Sequence, residues 1–146
     1  EYVGKDDCLL FLGDNIFEDD IAPHIKTFRG GAKVFLKKVP DPHRFGVATI
    51  DKKGKVTAIE EKPDKPKSDL AVTGLYLFDS TVFDKMRDQQ KSKRGEYEVT
   101  YLNNEYIKEG KLEAALLKKE WFDVGTFDSL LKASLHMHKK KTKRGK

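Results

Sequence analysis

The chain has 146 residues, of which 38% are hydrophobic and 36% are charged, and its formal net charge is +5. This composition predicts one soluble domain with a modest core. It excludes a membrane span, because no apolar stretch approaches the roughly 20 residues that a span needs. With no recognisable signal peptide, the expected location is the cytoplasm.

The positive charge does not predict a nucleic-acid binder. Six Lys or Arg residues lie in 139–146, and the rest of the chain holds 23 basic against 24 acidic residues. Such a run is typical of a solvated end, and no folded basic face with interleaved aromatic residues is evident. We therefore predict a domain over 1–138 and a flexible basic tail over 139–146, with neither nucleic acid nor membrane as partner.

The first predicted element is the apolar run Leu9–Leu12, which stops at Gly13-Asp14-Asn15. Four large apolar residues predict a strand buried on both faces of a parallel sheet. Ligands bind beyond the carboxyl ends of such strands, where Asp14 would place a carboxylate for a cation. A turn cap is the competing interpretation, and from this motif alone it is the more frequent one.

The middle of the chain predicts alternating helices and strands. A helix after Asp19-Asp20 ends at Gly30-Gly31, and a strand over 32–39 follows; this order favours parallel pairing with the first strand. The later predictions are a hairpin of 45–50 with 55–59, a strand over 71–78, a short helix from 79 or 80, a helix over 99–107, a strand over 112–117, a turn at 121–125 and a helix over 126–138. Gly74, inside a strand, indicates a bulge or a close ligand approach.

Candidate chemistry lies where apolar strands stop. Asp14 and Asp123 could share one divalent cation, since Mg²⁺ takes one or two carboxylates and completes its shell with water and phosphate. Lys62 offers a compact charge for a phosphate, and Glu61 could accept hydrogen bonds from sugar hydroxyls. Taken alone, Glu60–Pro63 is more often a solvated strand end, and Asp123 more often a helix cap.

Six segments together, in this order, resemble the sugar-1-phosphate nucleotidyltransferases, most closely the branch that joins glucose-1-phosphate to dTTP. The segments are Leu12-Gly13-Asp14-Asn15-Ile16-Phe17, Phe45-Gly46-Val47, Glu60-Glu61-Lys62-Pro63, Val72-Thr73-Gly74-Leu75-Tyr76, Arg94-Gly95-Glu96-Tyr97-Glu98 and Trp121-Phe122-Asp123-Val124-Gly125-Thr126. The resemblance implies an α/β fold, namely part of a Rossmann-like nucleotidyltransferase mixed sheet flanked by helices, with a β-hairpin sugar-binding region.

The resemblance also implies roles for individual residues. Asp14 and Asp123 would hold the catalytic Mg²⁺, while Glu61 and Lys62 would bind sugar hydroxyls and phosphate. Gly46 would contact the sugar. The remaining implied residues line the sugar pocket (Val72, Gly74, Tyr76) or lie on a loop that helps close it (Arg94, Glu98).

The implied substrates are a sugar-1-phosphate and a nucleoside triphosphate, dTTP or UTP, with release of pyrophosphate. The Gly-rich loop by which this family binds the triphosphate does not occur in the sequence. The expectation is therefore a sugar-phosphate- and metal-binding portion that is inactive alone, and that forms a homo-oligomer or pairs with a missing amino-terminal half. The alternative is an inactive binding or assembly module.

Overall fold

A computed structural model describes residues 3–144, and it has the predicted α/β architecture: a mixed, curled sheet flanked by helices. The strands are β1 (Cys8–Phe11), β2 (Asn15–Phe17), β3 (Ala32–Lys38), β4 (Gly46–Ile50), β5 (Val56–Glu61), β6 (Leu70–Phe78), β7 (Leu112–Leu116) and β8 (Trp121–Asp123). The α-helices are α1 (Ala22–Thr27), α2 (Val82–Arg87), α3 (Val99–Lys108) and α4 (Phe127–Arg144).

Strand β6 is the centre of the large sheet, and all nine of its residues are buried. On one edge it pairs antiparallel with β3, which pairs parallel with β7. On its other edge it pairs with β4 at Ala71 and with β1 at Leu75–Phe78. The residues between these two partners, around Val72 and Gly74, are therefore left as a gap in that edge.

Apolar clusters cover both faces of the sheet. One face packs against Leu102 and Tyr106 of α3, and the other carries Phe28, Phe35 and Leu117. The sequence predictions for β3, the β4–β5 hairpin, β6, α3 and β7 are confirmed. The register of β3 with β6 is irregular opposite Gly74, so the predicted bulge is also confirmed.

The prediction for the first strand was wrong in two respects. Strand β1 alternates between half-buried and exposed residues, and Leu9 and Phe11 are 43% and 47% exposed, because the described elements cover only its other face. It also runs antiparallel to β6, which lies between β1 and β3 and separates the two strands that we expected to pair directly.

The turn predicted at residues 121–125 was also wrong. Residues Trp121–Asp123 form β8, which pairs antiparallel with β2 in a separate two-stranded sheet. We call these two strands the ribbon. Helix α4 continues to Arg144 instead of ending near His138. The flexibility predicted for 139–146 stays a prediction. Residues 145–146 lie outside the described range. No helix within residues 3–144 is long and apolar enough to cross a bilayer.

Candidate active site

A cleft opens at the gap in the edge of β6, between the large sheet and the ribbon. Its volume is about 180 Å³, less than the roughly 300 Å³ at which pockets for drug-sized ligands begin, so it suits one small ligand. Eight predicted site residues line it: Asp14, Gly46, Glu61, Lys62, Val72, Gly74, Tyr76 and Asp123. Leu12, Asn15, Arg44, Phe45, Thr100 and Trp121 complete the lining.

Two carboxylates converge at one end of the cleft, which we call the carboxylate end. Asp14 Oδ2 and Asp123 Oδ1 lie 3.6 and 3.5 Å from the point that a Cβ on Gly125 would occupy. The backbone ties them together, because Val124 N–H donates to the Asp14 carbonyl at 2.7 Å. Gly125 therefore leaves an open cradle between two hard oxygen donors.

The donor set of this cradle fits Mg²⁺. That ion uses one or two carboxylates and keeps several waters or substrate oxygens, whereas structural zinc sites use closed sets of four Cys and His ligands. Within residues 3–144 no group of three or more His, Cys, Asp or Glu side chains is placed to hold a metal. Asp14 and Asp123 are thus the two protein carboxylates that a cation at this cradle would use.

Another part of the cleft, which we call the lysine end, is formed where β5 stops. Lys62 has a φ of +43°, a left-handed conformation that an L-residue rarely adopts and that is often found at functional sites. Its N–H donates to the Phe45 carbonyl at 3.0 Å, which fixes the bend after the strand. The bend places Lys62 in the lining of the cleft, next to Glu61.

The Glu61 carboxylate is held in place by several neighbours. Its Oε2 accepts a hydrogen bond from Thr100 Oγ1 at 2.5 Å and lies 3.2 Å from the position of a Cβ on Gly46. Gly46 thus gives the carboxylate room against β4. Burial, and after it the charge of Glu61, raises the pKa of the Tyr76 phenol, so Tyr76 enters the cleft as a neutral hydroxyl group.

Arg94 and Glu98 are the two predicted site residues that do not line the cleft. Arg94 Nη1 lies 3.9 Å from Glu61 Oε1 and its Nη2 lies 3.7 Å from Glu96, so it borders the lysine end. Glu98 accepts a hydrogen bond from Ser92 Oγ at 2.7 Å, and its carbonyl accepts one from Gln89. In this structure, the contacts of Glu98 brace the loop that precedes α3.

Several residues of the cleft lining had no role predicted from the sequence. They are notably Asn15, Thr100 and the aromatic pair Phe45 and Trp121. The two rings meet edge to face with centroids 5.2 Å apart and join the ribbon to the large sheet. Both aromatic residues belong to the quoted motifs, so their position was visible in the sequence. The contact between them was not, because 75 intervening residues separate them.

The chain belongs to the nucleotidyl transferase family, whose model matches residues 1–140. The confirmed resemblance is therefore one of family and of fold, while the roles of the individual site residues stay predictions.

Relatives within the family narrow the comparison. The chain is 43% identical over 139 residues to glucose-1-phosphate thymidylyltransferase of Mycolicibacterium smegmatis. This match covers 92% of the chain and 48% of the relative. A Bacillus anthracis protein assigned as a glucose-1-phosphate thymidylyltransferase, solved in complex with sucrose, is 49% identical with a TM-score of 0.83, and the match covers 90% of this chain and 55% of that one.

A more distant structure shares the fold alone. UDP-glucose pyrophosphorylase in complex with UDP-glucose is 20% identical with a TM-score of 0.83, over 95% of this chain and 58% of the other. The chain thus spans about half the length of the curated relatives it matches.

Proposed function

We propose that this chain is the sugar-phosphate- and metal-binding portion of an enzyme that joins glucose-1-phosphate to dTTP or UTP. The observation that carries the proposal is that Asp14 and Asp123, whose oxygens face one cradle, line the same small cleft as Lys62 and Glu61. The similarity to glucose-1-phosphate thymidylyltransferases supports the choice of glucose and dTTP.

The reaction is an in-line displacement at phosphorus. A phosphate oxygen of glucose-1-phosphate forms a bond to the α-phosphorus of the nucleoside triphosphate, and the bond between that phosphorus and the bridging oxygen to the β-phosphate breaks. Pyrophosphate leaves with the electron pair of the broken bond. No side chain needs to form a covalent intermediate, so the contribution of the protein is positioning and charge stabilisation.

Each end of the cleft has its own part in this chemistry. Asp14 and Asp123 would hold Mg²⁺, which when bound neutralises and orients phosphate oxygens. Lys62 places a compact positive charge beside the sugar phosphate. Glu61, whose carboxylate is fixed by Thr100, accepts hydrogen bonds from sugar hydroxyls, and Tyr76 lines the pocket as a neutral hydroxyl group.

Binding by the 146-residue chain tests the proposal more directly than turnover, because the Gly-rich triphosphate loop of the family does not occur in this sequence. Titration calorimetry with glucose-1-phosphate in the presence of Mg²⁺ is expected to show saturable binding, and glucose without phosphate to bind at least about tenfold more weakly, since Lys62 recognises the phosphate.

A matched pair of lysine variants sharpens this experiment. Lys62→Gln is expected to weaken glucose-1-phosphate binding about tenfold or more, through loss of a charge-assisted contact. Lys65→Gln removes an exposed lysine three residues further along that does not line the cleft, and binding should stay unchanged. Equal affinity for glucose and glucose-1-phosphate, or equal loss in both variants, would contradict the proposal.

A further inference from the structure

The Asn15 side chain makes three hydrogen bonds at the cleft, more than the side chain of any residue predicted to do chemistry there. It begins β2 directly opposite Asp123 of β8, and it is only 8% exposed. Its side-chain Oδ1 accepts one hydrogen bond from the Gly74 N–H at 2.9 Å and another from the Trp121 Nε1–H at 2.7 Å. Its Nδ2 donates to Asp14 Oδ1 at 2.8 Å.

The orientation of this amide is dictated by its partners. A backbone N–H and an indole N–H can only donate, and an ionised carboxylate can only accept. The Asn15 oxygen must therefore face Gly74 and Trp121, and the NH₂ group must face Asp14. A side chain with a single type of polar atom cannot make all three contacts.

Gly74 is adapted to the same side chain. A Cβ at position 74 would lie 2.6, 2.7 and 2.8 Å from Asn15 Nδ2, Cγ and Oδ1. The group that approaches the backbone of Gly74 closely in this structure is therefore the Asn15 side chain. The absence of a side chain on Gly74 lets the amide reach the backbone of β6 and link the ribbon to the large sheet.

We propose that Asn15 is a positioning residue that holds the Asp14 carboxylate and Trp121 in register with β6. This inference rests on the proposed function, since it assigns to Asn15 the orientation of a carboxylate that would bind Mg²⁺. Side chains that hydrogen-bond a ligating carboxylate fix its direction, and their loss lowers metal affinity by about 10–100-fold.

The chain offers a spectroscopic reporter for this role, because Trp121 is its only tryptophan. One indole N–H resonance therefore reports the hydrogen bond to Asn15 directly. It also offers a matched control in Asn104, whose side chain makes two hydrogen bonds to the backbone of Ile59 and does not line the cleft. Asn104→Ala removes a comparable pair of side-chain-to-backbone hydrogen bonds, between α3 and β5.

The test compares Asn15→Ala and Asn104→Ala with the unmodified chain, well below the melting temperature of each. In Asn15→Ala, the Trp121 indole N–H should shift and exchange faster with water, and the dissociation constant for Mn²⁺ should rise about 10–100-fold. Asn104→Ala should lower the melting temperature, and leave the indole resonance and the Mn²⁺ affinity unchanged.

An unchanged indole resonance together with Mn²⁺ affinity within about twofold of the unmodified chain would overturn the positioning role. If Asn15→Ala does not fold, Trp121→Phe removes the indole donor together with part of the ring; a severalfold loss of Mn²⁺ affinity supports the role, and no loss contradicts it. If the unmodified chain binds no Mn²⁺, the proposed metal site fails separately. In that case the indole resonance alone decides whether Asn15 holds the ribbon.

Discussion

The lysine end of the cleft is formed by strands of the large sheet, whereas the carboxylate end is formed by the ribbon, which has three residues in each strand. Glu61 is the last residue of β5 and pairs with Gly46 at the open end of the β4–β5 hairpin. Val72 and Tyr76 belong to a strand that is buried along its whole length. Asp14 and Asp123 instead depend on the ribbon. It is joined to the sheet through Asn15, through the contact of Trp121 with Phe45, and through packing of Phe17 and Trp121 against the apolar cluster around Phe35.

Because of this difference, substitutions at the two ends should affect folding and binding differently. The lysine end shares the core, so changes near it affect folding and binding together. The ribbon is only partly buried, and the hydrogen bonds that orient its carboxylates are worth about 1 kcal/mol each, so local changes can displace the carboxylates while the sheet stays folded. The two ends can therefore be separated by substitution.

The largest effect is expected for Gly74→Ala, at the junction between the two regions. The added methyl group would meet Asn15 at less than 3 Å, and unfolding free energy should fall by about 2 kcal/mol, measured by denaturant titration. Combining it with Asn15→Ala should cost less than the sum of the two single changes. Gly13→Ala, whose Cβ meets nothing within 4 Å, is the control and should be nearly neutral. Additive losses would show that Asn15 and Gly74 are not coupled.

Gly125→Ala should separate binding from folding. Its methyl group would make only ordinary contacts, at 3.5 and 3.6 Å, but it would fill the cradle between the Asp123 and Asp14 oxygens. Stability should change by less than about 0.5 kcal/mol. Mn²⁺ affinity should fall at least about tenfold in calorimetric titration. Retained affinity would mean that the cation does not occupy this cradle.

A smaller effect is expected where Glu18 links the ribbon side of the molecule to α4. Its carboxylate accepts hydrogen bonds from Lys140 at 2.8 Å and from His136 at 2.9 Å, and the Lys140 contact first, then His136, holds the Glu18 pKa below its ordinary value of 4.5. A lowered folded-state pKa contributes stability that is present above pH 4.5 and is lost as the pH falls through the folded value.

Glu18→Gln should therefore flatten the decline of stability below pH 4.5, measured by thermal unfolding between pH 6 and 3.5. The matched control is Glu120→Gln, which removes an exposed carboxylate on the same side and should keep the slope of the unmodified chain. Identical acid slopes in all three proteins would mean that Glu18 does not anchor α4.

The same two regions differ in how much of their secondary structure could be predicted from the sequence. Strand β6 was predictable because it is a nine-residue, mostly apolar segment, and the β4–β5 hairpin because its loosely alternating strands flank a turn at Gly54. The ribbon was not, since three residues at Trp121–Asp123 carry too little periodicity to distinguish a strand from a turn. The apolar run of β1 likewise could not reveal that β6 would lie between β1 and β3.

The candidate site divides in a similar way. The resemblance brought together the residues that line the cleft, because six motifs keep their order along the chain. The role of Asn15 could not be predicted, since it depends on partners 59 and 106 residues away that only the folded chain brings within hydrogen-bond distance. Turn chemistry explained an Asp-Asn pair equally well from local sequence.

We expect Asp14 and Asp123 together to hold a divalent cation at the carboxylate end. The deciding measurement is Mn²⁺ titration of the unmodified chain beside Asp14→Asn and Asp123→Asn, each of which keeps the shape of the side chain and removes its charge. Each variant is predicted to lose at least about tenfold in affinity while melting within a few degrees of the unmodified chain. Mn²⁺ affinity that is unchanged in both variants would contradict the account.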